Sequence, residues 1–480
     1  MPHASMHAPG ALLTLSEFRH ELGIPLILAK KMVLWGLVEA VKVADGTWRI
    51  TVAEALLAKK IIEDPWMRAK LFVRALGPGL ITGASDDDPS GIGTYSSVGA
   101  KFGLAIIWMA AWLLPIMLAI QETCARIGIV TNRGLASVLK KYYHKWIVLG
   151  VVVLLIIANV VNIGADLGAM AASTKMLTGI NYYVAAIAFA ILIVLVEILV
   201  EYHLYAKVLK WLTISVFSYI VAGFMIHPEW LVIFKKAFIP SLQFSDEYFF
   251  AMVAVFGTTI TPYLFFWQAS EEVEEGKLVK CEKTNEARHN RLVKMRTDVN
   301  TGMLLANVVF FFIVLTTAQI LFKNGITEVD SAEQAALALR PFAGQYAYLL
   351  FALGIIGTGM LAVPILAGSG AYALAEIMHW REGLNEKFSH AKRFYAVITF
   401  SILVGLVLNL LRVNPITALY YAAFLNGVIA LPLLVVIMLV GDNKKIMGRE
   451  TNPVWVRFFG WLSVVFMVVL LIGSAIIKFS

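Results

Sequence analysis

Apolar runs of about 20 residues recur along this chain, each long enough to cross the roughly 30 Å hydrocarbon core of a bilayer as a helix. We read eleven, at 71–99, 103–125, 146–173, 182–201, 208–226, 248–270, 298–322, 344–378, 393–411, 415–440 and 454–477. In hydrocarbon every backbone N–H and C=O must be satisfied internally, so runs of this length specify an all-α polytopic membrane bundle. Of the 480 residues, 59% are hydrophobic and only 15% charged, against about a quarter charged in soluble domains. Two distant cysteines, Cys124 and Cys281, form neither a disulfide framework nor a thiolate metal cluster. The first 65 residues lack the ordered segments of a cleaved signal peptide, and none is expected.

Basic residues alternate between loops, which orients the bundle. Arg126, Arg133, Lys140, Lys141 and Lys145 precede the third span, and Lys277, Lys280, Lys283, Arg288, Arg291, Lys294 and Arg296 follow the sixth. Arg381, Lys387, Lys392 and Arg393 follow the eighth, and Lys444, Lys445 and Arg449 the tenth. The intervening loops hold little beyond Lys101, Lys175, Lys323 and Arg412. This bias predicts a cytoplasmic N-terminus, an external C-terminus and residence in the inner (plasma) membrane. It also accounts for the net charge of +8 without any nucleic-acid partner.

Residues 1–65 read as a separate cytoplasmic module. "TLSEFRHELG" and "PLILAKKMVLWGL" predict two short helices, Asp45-Gly46 a hairpin turn, and Thr51 the cap of a third helix. The order resembles a small winged helix-turn-helix, for which a small folded cap or a module binding a cytoplasmic protein partner is the expectation rather than DNA. The membrane domain covers 70–480, with repeats at about 70–226 and 248–440 and an extra helix at 454–477.

Two spans are broken at matching places. Asp88-Pro89 interrupts the first and Thr261-Pro262 the sixth; proline removes a backbone donor and disfavours helix at the residue before it. Irregular backbone at membrane depth survives only where it is buried in protein or lines a cavity. Breaks five spans apart point to a leucine-transporter-like inverted 5+5 repeat with its site at the midplane. The first break also carries Asp86, Asp87 and Asp88, and an ionised carboxylate at the bilayer centre costs roughly 2.5–3.5 kcal/mol. Freed carbonyls, hydroxyls and carboxylates form an oxygen cage that suits a hard cation, whose charge offsets that cost.

These motifs resemble the NRAMP family of divalent-metal transporters. The family's G-P-G…D-P-G-N is matched by Gly77-Pro78-Gly79 and Asp88-Pro89-Ser90-Gly91, its Q…A-R-[LI]-G-V-V-T-G…L-A by residues 121–136, and its G-A-x-x-M-P-H by "GTTITPY" at 257–263. The departures carry information. The metal-binding asparagine is Gly91, the methionine is Thr261, the motif's alanine is Thr258, and the histidine tied to proton movement is Tyr263. The third span's D-L-A-E keeps Asp166 but has Ala169 for the glutamate. A thioether favours softer transition metals, and histidine is the side chain that titrates near neutrality. The resemblance therefore implies the NRAMP-related magnesium transporter branch, carrying Mg2+ and Mn2+ without proton coupling.

Asp88 is the first candidate ligand, with Ser85 through its carbonyl. Thr258 and Thr261 either offer an oxygen or bond back to their own helix. Neighbouring helical residues point about 100° apart, so of Asp86 and Asp87 one reaches the ion through water and the other lines the cytoplasmic vestibule. Asn426, two turns before Pro432, is a further candidate. Asp166 either pairs with a basic group or helps a cation pass, and "EEVEEG" from Glu271 is read as a solvated face or a cation funnel. No cofactor is implied beyond the transported ion, and no nucleophile–base pair or phosphate loop indicates an enzyme. The alternatives are a proton-coupled Mn2+/Fe2+ importer, an amino-acid transporter of the same architecture, and a membrane-tethered sensor.

Overall fold

The computed structural model describes residues 12–22, 40–42, 48–51, 54–56, 58–59, 78–200, 213–278, 285–384, 386–411 and 413–479. The chain divides into two units, Met1–Gly77 with Glu282–Asp298, and Pro78–Cys281 with Val299–Ser480.

In the first unit β1 (Leu12–Thr14) leads into α1 (Leu15–Leu22). The start is a capping box: the Thr14 N–H donates to Glu17 Oε2 at 2.8 Å, and the Glu17 N–H to Thr14 Oγ1 at 3.2 Å. The Thr14 backbone N–H, then its hydroxyl, hold the Glu17 carboxyl below its usual range. β2 (Ala40–Lys42) and β3 (Trp48–Thr51) pair antiparallel, with sheet order β1-β3-β2. Thr51 Oγ1 accepts from the Glu54 N–H at 3.2 Å, opening the helical residues at 54–56. The expected helix at 25–37 and the turn at Asp45-Gly46 lie outside the described residues.

The second unit is a helical bundle. The first span is two helices, α2 (Pro78–Asp86) and α3 (Pro89–Phe102). Next come α4 (Trp108–Thr131), α5 (Leu135–Tyr142), α6 (Lys145–Thr178) and α7 (Tyr182–Leu199). The fifth span begins outside the described residues and ends as α8 (Ser218–Met225), followed by α9 (Trp230–Phe238) after a bend of 120°. The sixth is again two pieces, α10 (Asp246–Thr259) and α11 (Pro262–Leu278). The chain continues through α12 (Asn285–Ile320), α13 (Ala332–Ala336), α14 (Ala347–Met378), α15 (Lys392–Leu408), α16 (Pro415–Gly441) and α17 (Val454–Phe479). Among the described residues nine helices are long and apolar enough to span a bilayer, ten if α8 and α9 count as one. The eleventh expected span is the broken α2–α3 pair, whose pieces have 9 and 14 residues and are individually too short.

α6 is the hub, packing against α7, α14, α15 and α16, while α16 also packs on α3 and α10. Two contacts are backbone to backbone. A Cβ added at Gly257 of α10 would lie 2.2 Å from the Gly427 nitrogen of α16, and one added at Gly83 of α2 would lie 2.3 Å from the Gly302 carbonyl of α12. Small residues permit such close approach where lipid gives helices no hydrophobic reason to associate. A deeply buried ion pair, Arg126–Glu122 at 2.5 Å with Glu450 at 3.9 Å, lies within and beside α4. The residues of "EEVEEG" are not a solvated face: Glu271, Glu272 and Glu274 are all buried at the end of α11. Glu274 accepts from the Tyr372 hydroxyl of α14 at 2.5 Å.

Candidate functional site

Each break leaves two residues out of helix, Asp87-Asp88 and Ile260-Thr261, and each next helix starts on a proline whose fixed φ suits a first turn. Asp88 is the N-cap of α3, with extended φ −66° and ψ 172°, and its Oδ1 accepts from the Gly91 N–H at 2.7 Å. The two breaks meet at Tyr263, in the first turn of α11. Its hydroxyl donates to the Ser85 carbonyl at 2.7 Å and lies 3.3 Å from Asp88 Oδ2, so one proton serves two acceptors. The Ser85 carbonyl keeps a second lone pair.

Buried oxygens without a hydrogen-bond partner collect at this junction: Asp86 Oδ1, Asp87 Oδ1, Thr258 Oγ1 and Thr261 Oγ1. The two threonines therefore do not bond back to their helix. Thr259 does so instead, donating to the Val255 carbonyl at 2.6 Å and meeting the Tyr95 hydroxyl at 3.1 Å. Asp166 of α6 is fully buried, has the Ser90 backbone as its nearest donor and lies within electrostatic reach of Asp88. A buried acceptor left unsatisfied costs about 1–3 kcal/mol, more when charged, so several together call for a cation or ordered water.

Polar ties close the bundle on both sides of the breaks. On one side the Thr82 hydroxyl of α2 donates to Gln268 Oε1 of α11 at 2.5 Å, and Gln268 Nε2 donates to Glu272 at 3.1 Å. On the other, Tyr95 joins α3 to Thr259 of α10 and stacks on Phe310 with ring centroids 4.2 Å apart. Asp86 and Asp88 are each 1% exposed between them. Among the described residues no three His, Cys, Asp or Glu side chains form a metal cage. An ion here would be held by a few carboxylate and neutral oxygens with waters, as Mg2+ commonly is.

Asn426 is engaged elsewhere. Its oxygen accepts from Asn162 Nδ2 at 2.7 Å and its nitrogen donates to Asn162 Oδ1 at 3.1 Å, so a ligand role requires that pair to open. Gly91, in contrast, faces the site: a Cβ there would lie 3.2 Å from the Asp86 carbonyl and 3.6 Å from Asp88 Oδ1. Sequence reasoning missed the bridging role of Tyr263 and the partnership of Asn162, although Tyr263 directly follows the proline of the second break.

Two helices broken at matching points around buried oxygens, within a bundle of membrane-spanning helices, are the architecture of an inverted-repeat membrane transporter. Residues 79–476 match the family described as natural resistance-associated macrophage protein-like, Nramp, and the chain belongs to that family. The divalent metal cation transporter MntH of Klebsiella pneumoniae subsp. pneumoniae is 26% identical over 424 residues, covering 87% of this chain and 97% of the relative. The crystal structure of the Eremococcus coleocola manganese transporter, in complex with an aromatic bis-isothiourea substituted compound, matches with TM-score 0.68 at 19% identity over 82% of this chain and 84% of that one. Mhp1, a nucleobase-cation-symport-1 family transporter in a closed conformation, matches with TM-score 0.51 at 13% identity over 83% and 93%. Both structural likenesses are of fold.

Proposed function

We propose that this protein carries a hard divalent cation, Mg2+ or Mn2+, through the inner membrane by alternating access and without moving protons. The meeting of the two breaks at Tyr263 carries this reading: it ties Asp88 and the Ser85 carbonyl of the first break to the second break, whose Thr258 and Thr261 keep buried hydroxyl oxygens without a hydrogen-bond partner. Relatives named as divalent metal cation and manganese transporters support the cargo class. The oxygen-only donor set supports a hard ion, since no thioether stands at position 261. In this reading Asp88, Ser85, Thr258 and Thr261 contact the ion, one of Asp86 and Asp87 reaches it through water while the other lines the cytoplasmic vestibule, and Asn426 joins once released from Asn162. The loop charges support a cytoplasmic N-terminus, with residues 1–65 read as a small winged-helix-like module on that side.

Tyr263, with an ordinary pKa near 10, does not cycle its charge near neutrality, and Ala169 does not titrate. One observation favours a second reading, a proton-coupled Mn2+ importer: Asp166 is a fully buried carboxylate within electrostatic reach of Asp88, with no basic side chain paired to it among the described residues. Proteoliposomes holding a pH-sensitive dye and a metal indicator separate the two. Under an inward metal gradient the metal signal should rise while the dye stays flat, and Asp88→Ala should abolish the metal signal in a folded protein. Normal uptake by Asp88→Ala would remove the site. Metal-dependent acidification lost in Asp166→Asn would establish the second reading.

A further inference from the structure

Two cavities lie side by side at the end of the bundle where α6 finishes and α16 begins. The larger, about 410 Å3, has a mixed lining whose polar members include Lys175, Asp330, Glu333 and Asn414. The smaller, about 320 Å3, is walled mainly by apolar residues of α6, α16 and the end of α15, among them Ala165, Leu408, Ala418 and Leu425. They share Tyr182, Asn409, Val413 and Pro415. A polar seam marks the shared wall: the Tyr182 hydroxyl donates to Asn409 Oδ1 at 2.5 Å, and Asn409 Nδ2 to the Gly164 carbonyl at 3.0 Å.

The apolar chamber opens sideways. Leu411, Val413 and Tyr421 on its rim are 69%, 52% and 58% exposed. Tyr421 is six residues into α16, about 9 Å along the helix from its start at 1.5 Å per residue, so the opening lies on the flank of an apolar spanning helix rather than at its end. Apart from the Tyr182–Asn409 seam, whose polar atoms bond to each other and to Gly164, the chamber's walls are apolar, and an apolar surface that meets hydrocarbon is covered by it in preference to water. The polar chamber above carries one cation and two carboxylates. Lys175 forms no ion pair within 4 Å among the described residues, and Asp330 and Glu333 are exposed. That pattern complements a headgroup with a phosphate and an ammonium group.

We propose that this slot binds one phosphatidylethanolamine. An acyl chain lies between α6, α15 and α16, the phosphate meets Lys175, and the primary ammonium meets Asp330 and Glu333. The lipid would thereby wedge α16, which packs on the broken-helix pieces α3 and α10, against α6 and α15, which pack on each other. This inference is independent of which ion is carried.

Native mass spectrometry of the full-length protein, ejected from nanodiscs holding equal phosphatidylethanolamine, phosphatidylglycerol and phosphatidylcholine, tests it. The wild type should retain one phosphatidylethanolamine in preference to the other two. Ala418→Trp fills the apolar chamber and should retain none. Lys175→Gln, an exposed change that leaves packing intact, should lower retention of all three severalfold, because each headgroup loses the cation that meets its phosphate. The Asp330→Asn, Glu333→Gln double variant should lose the preference over phosphatidylcholine and keep total retention. Equal retention of phosphatidylglycerol by the wild type overturns the headgroup assignment. Retention unchanged in both Ala418→Trp and Lys175→Gln overturns the site.

Discussion

Replacing Tyr263 with phenylalanine removes one hydroxyl from the centre of the site and little else. That hydroxyl shares its proton between the Ser85 carbonyl at 2.7 Å and Asp88 Oδ2 at 3.3 Å. A hydrogen bond to a charged group contributes about 1.5–3 kcal/mol, and the long Asp88 contact belongs at the low end. Adding the stranded Ser85 carbonyl, the metal-free protein should lose about 2 kcal/mol of stability. Metal binding changes in the opposite direction. In the wild type an ion approaching Asp88 Oδ2 competes with the hydroxyl; in Tyr263→Phe it does not, and about 1.5 kcal/mol of lost competition is roughly a tenfold gain in affinity. Thermal unfolding in detergent, with and without saturating Mn2+, and titration calorimetry measure both halves. The metal-free midpoint should fall, saturating Mn2+ should restore it, and Kd should drop. A lower metal-free midpoint accompanied by weaker Mn2+ binding would refute the competition, because the hydroxyl would then be supporting the ion.

Thr261→Met should weaken inhibition of Mn2+ uptake by excess Mg2+, since a thioether disfavours the harder ion; an unchanged competition curve would show that position 261 does not set selectivity. Glu122→Ala strands the buried Arg126 guanidinium, whose main partner lies 2.5 Å away, and should cost about 3–5 kcal/mol of stability. The readout is thermal unfolding, and a loss under about 1 kcal/mol would mean that Glu450 at 3.9 Å already neutralises the arginine.

Both breaks were legible because proline states its effect locally: Pro89 and Pro262 begin new helices where the sequence places them. The hydroxyls of Thr258 and Thr261 were legible as candidates but not as unpartnered groups, since a threonine in a helix has a carbonyl four residues back within reach. Which one turns away depends on the break, and only Thr259 bonds back to Val255. Long-range pairings were not legible. Asn162 and Asn426 are 264 residues apart, and helical phase alone does not choose one partner among the facing helices. The acidic stretch from Glu271 read as solvated because composition suits water, yet its burial is set by α14, whose Tyr372 supplies the donor that makes a buried Glu274 tolerable.

The backbone contacts at Gly257 and Gly83 restrict what can move. Helices that touch without side chains between them have no cushion to deform, so α10 stays registered to α16 and α2 to α12. The first half of each broken helix then travels with a full-length escort. The two-residue breaks become the joints of two rigid planks, and opening one face amounts to swinging a plank rather than bending a helix. A spectroscopic ruler laid across a plank, such as a spin-label pair on α10 and α16, should read the same distance throughout the cycle, while one laid across a joint should not.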